Sequence, residues 1–141
     1  MLKQIMTLTL AAAILAPAAA LACEGEKHRP VQTVDTHEGA KLSKEGKAVF
    51  VDANGAETRQ KYGVIPGAVL LTSSSEFDVS KELPAKKDQK LVFYCANEKC
   101  GASKRAAERA LDNGYVDVAV LPAGIMGWKQ AGLPITQQNR S

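Results

Sequence analysis

Three short, nearly continuous apolar runs constrain the fold more than any other feature: "AVFVDA" at 48–53, "LVFYC" at 91–95 and "YVDVAVLP" at 115–122. Each is short for a helix and too uniformly apolar for a strand with one wet face, so each suits a strand covered on both sides. A further strand is expected at Ala68–Leu71, delivered by the turn in "GVIPGAVLL", and an opening β-like piece at Val31–Val34. Helical segments fall between them. They are the lysine-rich "HEGAKLSKEGK", the short "AETRQKY", a helix from about Ser103 to Asn113, and a last one in "AGIMGWKQAGLP". Thr72 to Lys90 is polar and reads as a surface connection with one helical turn. In the Ser103–Asn113 helix, Ala106, Ala107, Ala110 and Leu111 share one face, Ser103 is a natural N-cap and Gly114 a natural stop. Strands alternating with helices imply an α/β fold of three layers, a central mainly parallel sheet with helices on both faces. Ligands bind such sheets beyond the carboxyl ends of the strands, and Cys95 stands at one.

At 141 residues the chain suits one domain. Residues 1–22 have the pattern of a secretory signal peptide. Lys3 supplies the positive region, Ile5 to Leu15 the apolar stretch, Pro17 a break and Ala20-Leu21-Ala22 a small-residue cleavage site. The apolar run is short for a membrane helix. Export, to a periplasm-like compartment, is therefore expected. A cysteine at the cut, Cys23, raises lipid attachment, the one route by which a membrane would become a partner; lipoprotein signals carry Leu three residues before the cysteine, where this chain has Ala20, which favours the unlipidated form. Removing the leader takes only Lys3 of the 18 basic residues, so the net charge falls from +3 to +2. With no basic block interleaved with aromatics, nucleic-acid binding has no support.

Cys23, Cys95 and Cys100 all survive into an oxidising compartment, and an odd count leaves at least one unpaired or modified. A thiol attacks as a thiolate, and the strand-loop-helix turn after Cys95 can supply one without a histidine. The N–H groups of Ala96, Asn97, Glu98, Lys99, Cys100, Gly101 and Ala102 can curl around Sγ, and the helix beginning near Ser103 points its positive end there. Lys99, Lys104 and Arg105 add positive charge, while Gly101 and Ala102 keep the rim open for a small anion. The bland alternative for Cys95 is a buried inert cysteine at a strand end. Cys100 stands open between a resolving thiol, a structural disulfide partner and a bystander, because sequence does not supply the Cα separation that decides it.

The segments "VFVDANGAETRQKYGVIPGAVLL" and "LVFYC", continuing through "AAERALDNGY", "AGIMGW" and "AGLPI", resemble the rhodanese homology domain. The resemblance runs from about Val31 to Ile135, within a rhodanese-like domain placed at 31–136 between a flexible 23–30 segment and a 137–141 tail. It implies a persulfide-forming Cys95 that takes sulfane sulfur from thiosulfate or a similar small sulfur anion and passes it to a low-molecular-weight or protein thiol, with no cofactor. Three positions depart from the family. Asn54 stands where Arg is common after the strand Asp, Val64 replaces His in the "HIPGA" turn, and Cys100 occupies the place of the usual loop Arg.

Other chemistries fit less well. The two histidines, His28 and His37, lie far from the loop, so a Cys-His hydrolase lacks its base. A cysteine phosphatase lacks the Arg that would clamp phosphate. Cys23, Glu24, Glu26 and His28 mix metal-ligand types at a flexible end, and no metal is expected there. Asp52 either orients the cysteine loop or caps its own strand end. Trp128 is expected in the core rather than as a lid. Three functions therefore compete: an exported sulfurtransferase, a thiol-disulfide protein cycling Cys95 and Cys100, and a binding module that has lost activity.

Overall fold

The apolar runs assemble as the central strands of one parallel sheet. A computed structural model of the chain describes residues 30–139. The expectations placed on the leader and on Cys23, Glu24, Glu26 and His28 lie outside the described residues, as do Arg140 and Ser141 of the tail. In chain order the elements are β1 (Gln32–Thr33), α1 (Thr36–Lys44), β2 (Val49–Asp52), α2 (Ala56–Tyr62), β3 (Val69–Leu70), α3 (Val79–Glu82), β4 (Leu91–Tyr94), α4 (Ala102–Asp112), β5 (Val118–Leu121) and α5 (Gly124–Gln130). The sheet order is β1-β5-β4-β2-β3, every pair parallel. All four residues of β4 and of β5 are buried. Their uniform apolarity reflects helices on both sides.

Alternate residues of these strands feed two separate cores. Val51, Leu91, Phe93, Val118 and Val120 pack with Ala106, Ala107 and Ala110 of α4 and with Val79 of α3. Phe50, Val92, Tyr94, Ala119 and Leu121 face Ile125 and Trp128 of α5, with Ala40 of α1 and Tyr62 of α2 at the edge. Trp128 is a core residue: its ring packs on Phe50 at 5.6 Å and its Nε1 donates to the Pro134 carbonyl at 2.8 Å. The edge strands are shorter than their apolar runs suggest, two residues each for β1 and β3, since an edge strand is held by a ladder on one side only.

One sequence expectation is corrected here. Ser103 does not cap α4. The helix begins a residue earlier, behind Gly101 as a cap without a side-chain bond, and Ser103 lies inside its first turn with its hydroxyl turned to Cys95. Gly114, at φ +88°, does end the segment, its N–H bonding the Leu111 carbonyl.

Candidate active site

From β4 the chain proceeds through α4 to β5 on one side, and from β2 through α2 to β3 on the other. The strand order therefore reverses between β2 and β4, the place where parallel sheets open a crevice at their carboxyl ends. Cys95 is the first residue beyond β4 at that point. Asp52, the last residue of β2, is in register with Tyr94.

Cys95 is held from below and beside. The Ile125 N–H donates to its carbonyl at 2.8 Å and the Met126 N–H to the Ala96 carbonyl at 3.0 Å, so the start of α5 clamps the beginning of the loop. Close approach of these backbones requires Gly124, at φ +61°, where a β-carbon would lie 2.5 Å from both carbonyl oxygens. On the other side Sγ rests against the first turn of α4, 3.3 Å from the Ser103 hydroxyl, which is in position to donate to it. That is the positive end of an 11-residue helix.

Cys95 and Cys100 are joined by a disulfide, with their Cα atoms 6.3 Å apart, inside the range a bridge tolerates. The Cα separation that sequence left open is one a bridge can span. Bridged, Cys95 is 1% exposed, whereas Cys100 is only half-buried and forms the outer sulfur. In this closed state the loop does not turn all its amides on Cys95. The Lys99 N–H donates to Asn97 Oδ1 and the Cys100 N–H to the Asn97 carbonyl, both at 3.0 Å, while the Cys100 carbonyl stands 3.3 Å from Cys95 Sγ. Two of the seven amides expected around sulfur are thereby spent on Asn97, because a loop this short must satisfy its own polar groups before a ligand arrives. Lys99, Lys104, Arg105 and Glu98 are exposed on the rim, Lys104 pairing weakly with Glu108 at 4.0 Å. They set a charged approach and do not touch sulfur.

Asp52 ties its own strand end rather than the cysteine loop. It is fully buried, and its Oδ1 accepts the Asn54 N–H at 2.7 Å and Arg59 Nε at 3.1 Å. Arg59 also donates through Nη2 to the Asp52 and Leu71 carbonyls, at 2.9 and 2.8 Å, joining β2 to the residue after β3. Beside it the Tyr94 hydroxyl accepts the Ile65 N–H at 3.0 Å. Burial, and then the neighbouring Asp52 carboxylate, push that phenol far above its usual range, so it stays protonated. Asn54, at the same end of the sheet, is buried with Nδ2 lacking a protein partner. Val64 is buried and pairs its backbone with Thr136, a structural role at the position where the family often has His.

Sequence reasoning missed Arg59, Tyr94 and Gly124. A signal for Arg59 existed: a carboxylate ending a buried strand needs a cation, and α2 supplies one seven residues later. Nothing local marks Tyr94 or Gly124, whose partners lie 29 residues away or in a neighbouring element. Among the described residues no group of three His, Cys, Asp or Glu is placed to hold a metal, and no helix is long and apolar enough to cross a membrane.

Comparison with known proteins extends this picture. A family model described as a rhodanese-like domain matches residues 35–131. Among solved structures, a protein of unknown function from Rhodopseudomonas palustris, described as a possible tyrosine phosphatase, is 33% identical, covers 75% of this chain and 85% of its own, and superposes with a TM-score of 0.63. A human single-domain sulfurtransferase is 25% identical over 72% of this chain and 97% of its own, TM-score 0.56. A 3-mercaptopyruvate sulfotransferase of Escherichia coli is 22% identical, with 79% and 52% covered and a TM-score of 0.60, a likeness of fold. No curated protein matches the sequence.

Proposed function

Since the chain belongs to the rhodanese-like domain family and is distantly related to sulfurtransferases, we propose that it is an exported sulfurtransferase. Cys95 carries sulfane sulfur as a persulfide, taken from thiosulfate or a similar donor and given to a thiol or other thiophilic acceptor. The observation that carries this is the placement of Cys95 Sγ beyond the carboxyl end of β4, against the first turn of α4 and beside the Ser103 hydroxyl. A helix N-terminus and a hydroxyl donor stabilise negative sulfur, whether thiolate, persulfide or an incoming anion. The exposed Lys99, Lys104 and Arg105 raise the local concentration of an anionic donor. Export is supported by the leader-like residues 1–22 and by a disulfide, which persists in oxidising compartments. Lipid anchoring at Cys23 is the lesser expectation.

Because the bridge covers Cys95, turnover starts with its reduction. The freed Cys95 thiolate attacks the sulfane sulfur of thiosulfate, the donor's S–S bond breaks, and sulfite leaves with the electron pair. The reduced Cys100→Ser chain, in which the carried sulfur has no internal acceptor, exposed anaerobically to thiosulfate or polysulfide should gain about 32 mass units, localised to Cys95 and removed by a thiol reductant. A Cys95→Ser chain should gain nothing. Equal labelling of the two chains, or none in either, would dismiss the proposal.

The disulfide itself favours a second reading, a thiol-disulfide protein in which Cys95 and Cys100 cycle without carrying sulfur. It predicts oxidation of both thiols by a protein or small-molecule disulfide with no persulfide on a Cys100→Ser chain.

A further inference from the structure

Resting on the persulfide proposal, we infer that Cys100 is a built-in acceptor for the sulfur carried by Cys95. The reduced chain thereby converts a sulfane-sulfur donor into hydrosulfide while closing its own disulfide. The loop is organised to bring Cys100 back over Cys95. Asn97 folds it through two bonds, its side-chain oxygen receiving the Lys99 N–H and its carbonyl the Cys100 N–H, both at 3.0 Å. Asn97 is in turn held to α5, its Nδ2 3.5 Å from Met126 Sδ, next to the Met126 N–H that binds the Ala96 carbonyl. The two sulfurs therefore meet through a turn that is internally bonded and anchored at its base.

The step balances. Cys95 thiolate and thiosulfate give the Cys95 persulfide anion and sulfite. Cys100 then attacks the inner sulfur, Cys95 Sγ, forming the Sγ–Sγ bond. The outer sulfur leaves with the electron pair of the broken S–S bond, takes the Cys100 proton and departs as hydrosulfide. Two protein thiols are oxidised by two electrons and one sulfane sulfur is reduced to sulfide. Attack on the inner sulfur uses the geometry of the bridge described here, whereas attack on the outer one would need Cys100 a further S–S bond length away, about 2 Å. The closed loop then presents Cys100 as the half-buried outer sulfur and Cys95 as the buried leaving group. A dithiol reductant, of the thiol-disulfide oxidoreductase class, must reopen it before the next round, and a consumer of hydrosulfide must follow.

The test uses the full chain, reduced, freed of reductant and held anaerobically. Thiosulfate is the probe with hydrosulfide measured, and inorganic polysulfide a parallel probe read by mass alone. The wild type should release about one hydrosulfide per chain and end about 2 mass units below its reduced form. Cys100→Ser, and Cys100→Ala as a second variant, should instead hold an adduct of about 32 mass units and release no hydrosulfide. A wild type that keeps the same stable adduct with Cys100 still alkylatable overturns this inference and leaves the persulfide proposal standing. A bridge formed without hydrosulfide also overturns it. Absence of the adduct from both Cys100 variants sinks the two together.

Discussion

At the scale of single residues, one cluster decides whether the carboxyl end of β2 keeps its shape. A fully buried carboxylate with one cation partner is costly to break, because removing the cation strands the charge in a dry interior. Arg59 is that cation, its side chain 13% exposed, and it also satisfies two carbonyl groups. Arg59→Met should lower stability by about 3–5 kcal/mol, read from the urea midpoint. A loss below about 1 kcal/mol would mean that water or relaxation compensates the carboxylate. The Tyr94 hydroxyl offers a gentler perturbation. Tyr94→Phe deprives the Ile65 N–H of its acceptor and should cost about 1–3 kcal/mol with the fold retained. Its pH dependence follows from the raised phenol. Above about pH 10 an unfolded tyrosine releases its proton while folded Tyr94 keeps it. The folded state then binds more protons, so stability falls as pH rises beyond that value. The contribution is intact below it, and the alkaline loss should be smaller in Tyr94→Phe, as unfolding series at rising pH will show.

Among the elements, α4 and α5 divide the work at the site. α4 offers its positive end and Ser103 to sulfur, while α5 fixes the backbone that carries it, through the Ile125 and Met126 N–H groups. The junction of β5 with α5 admits no side chain where α5 begins. Gly124→Ala meets both a left-handed φ and two carbonyl oxygens at 2.5 Å, so backbone must shift. Such strain costs about 1–3 kcal/mol. Its signature should be local: a lowered persulfide yield at Cys95 when Gly124→Ala is combined with Cys100→Ser in the mass experiment, with far-UV circular dichroism unchanged. Full yield would show that α5 can move without disturbing the cysteine. The α4 face of Ala106, Ala107 and Ala110 was legible from its spacing, since helical periodicity is local. The start of α4 was not, because a serine that could cap a helix turned instead to a sulfur eight residues upstream.

For the whole molecule, the disulfide couples redox state to global stability. Closing a loop between residues five apart removes chain entropy from the unfolded ensemble worth about 2 kcal/mol. Reductant should lower the unfolding free energy of the wild type by that much, read from the urea midpoint, and leave Cys100→Ser unmoved. An unshifted wild type would mean that freedom gained by the reduced loop in the folded state offsets the entropy gained by the unfolded chain. The sequence by itself determined the strand cores, the helices between them and the cysteine at a carboxyl end, because short apolar runs and 3.6-residue spacing are properties of contiguous residues. The reversal of strand order beside β4, the clamp of α5 on Cys95, the pairing of Arg59 with Asp52 and the meeting of Cys95 with Cys100 were decided only by the tertiary structure. Each depends on distances between segments that local periodicity does not encode, and on which of several competing hydrogen-bond partners packing brings within reach.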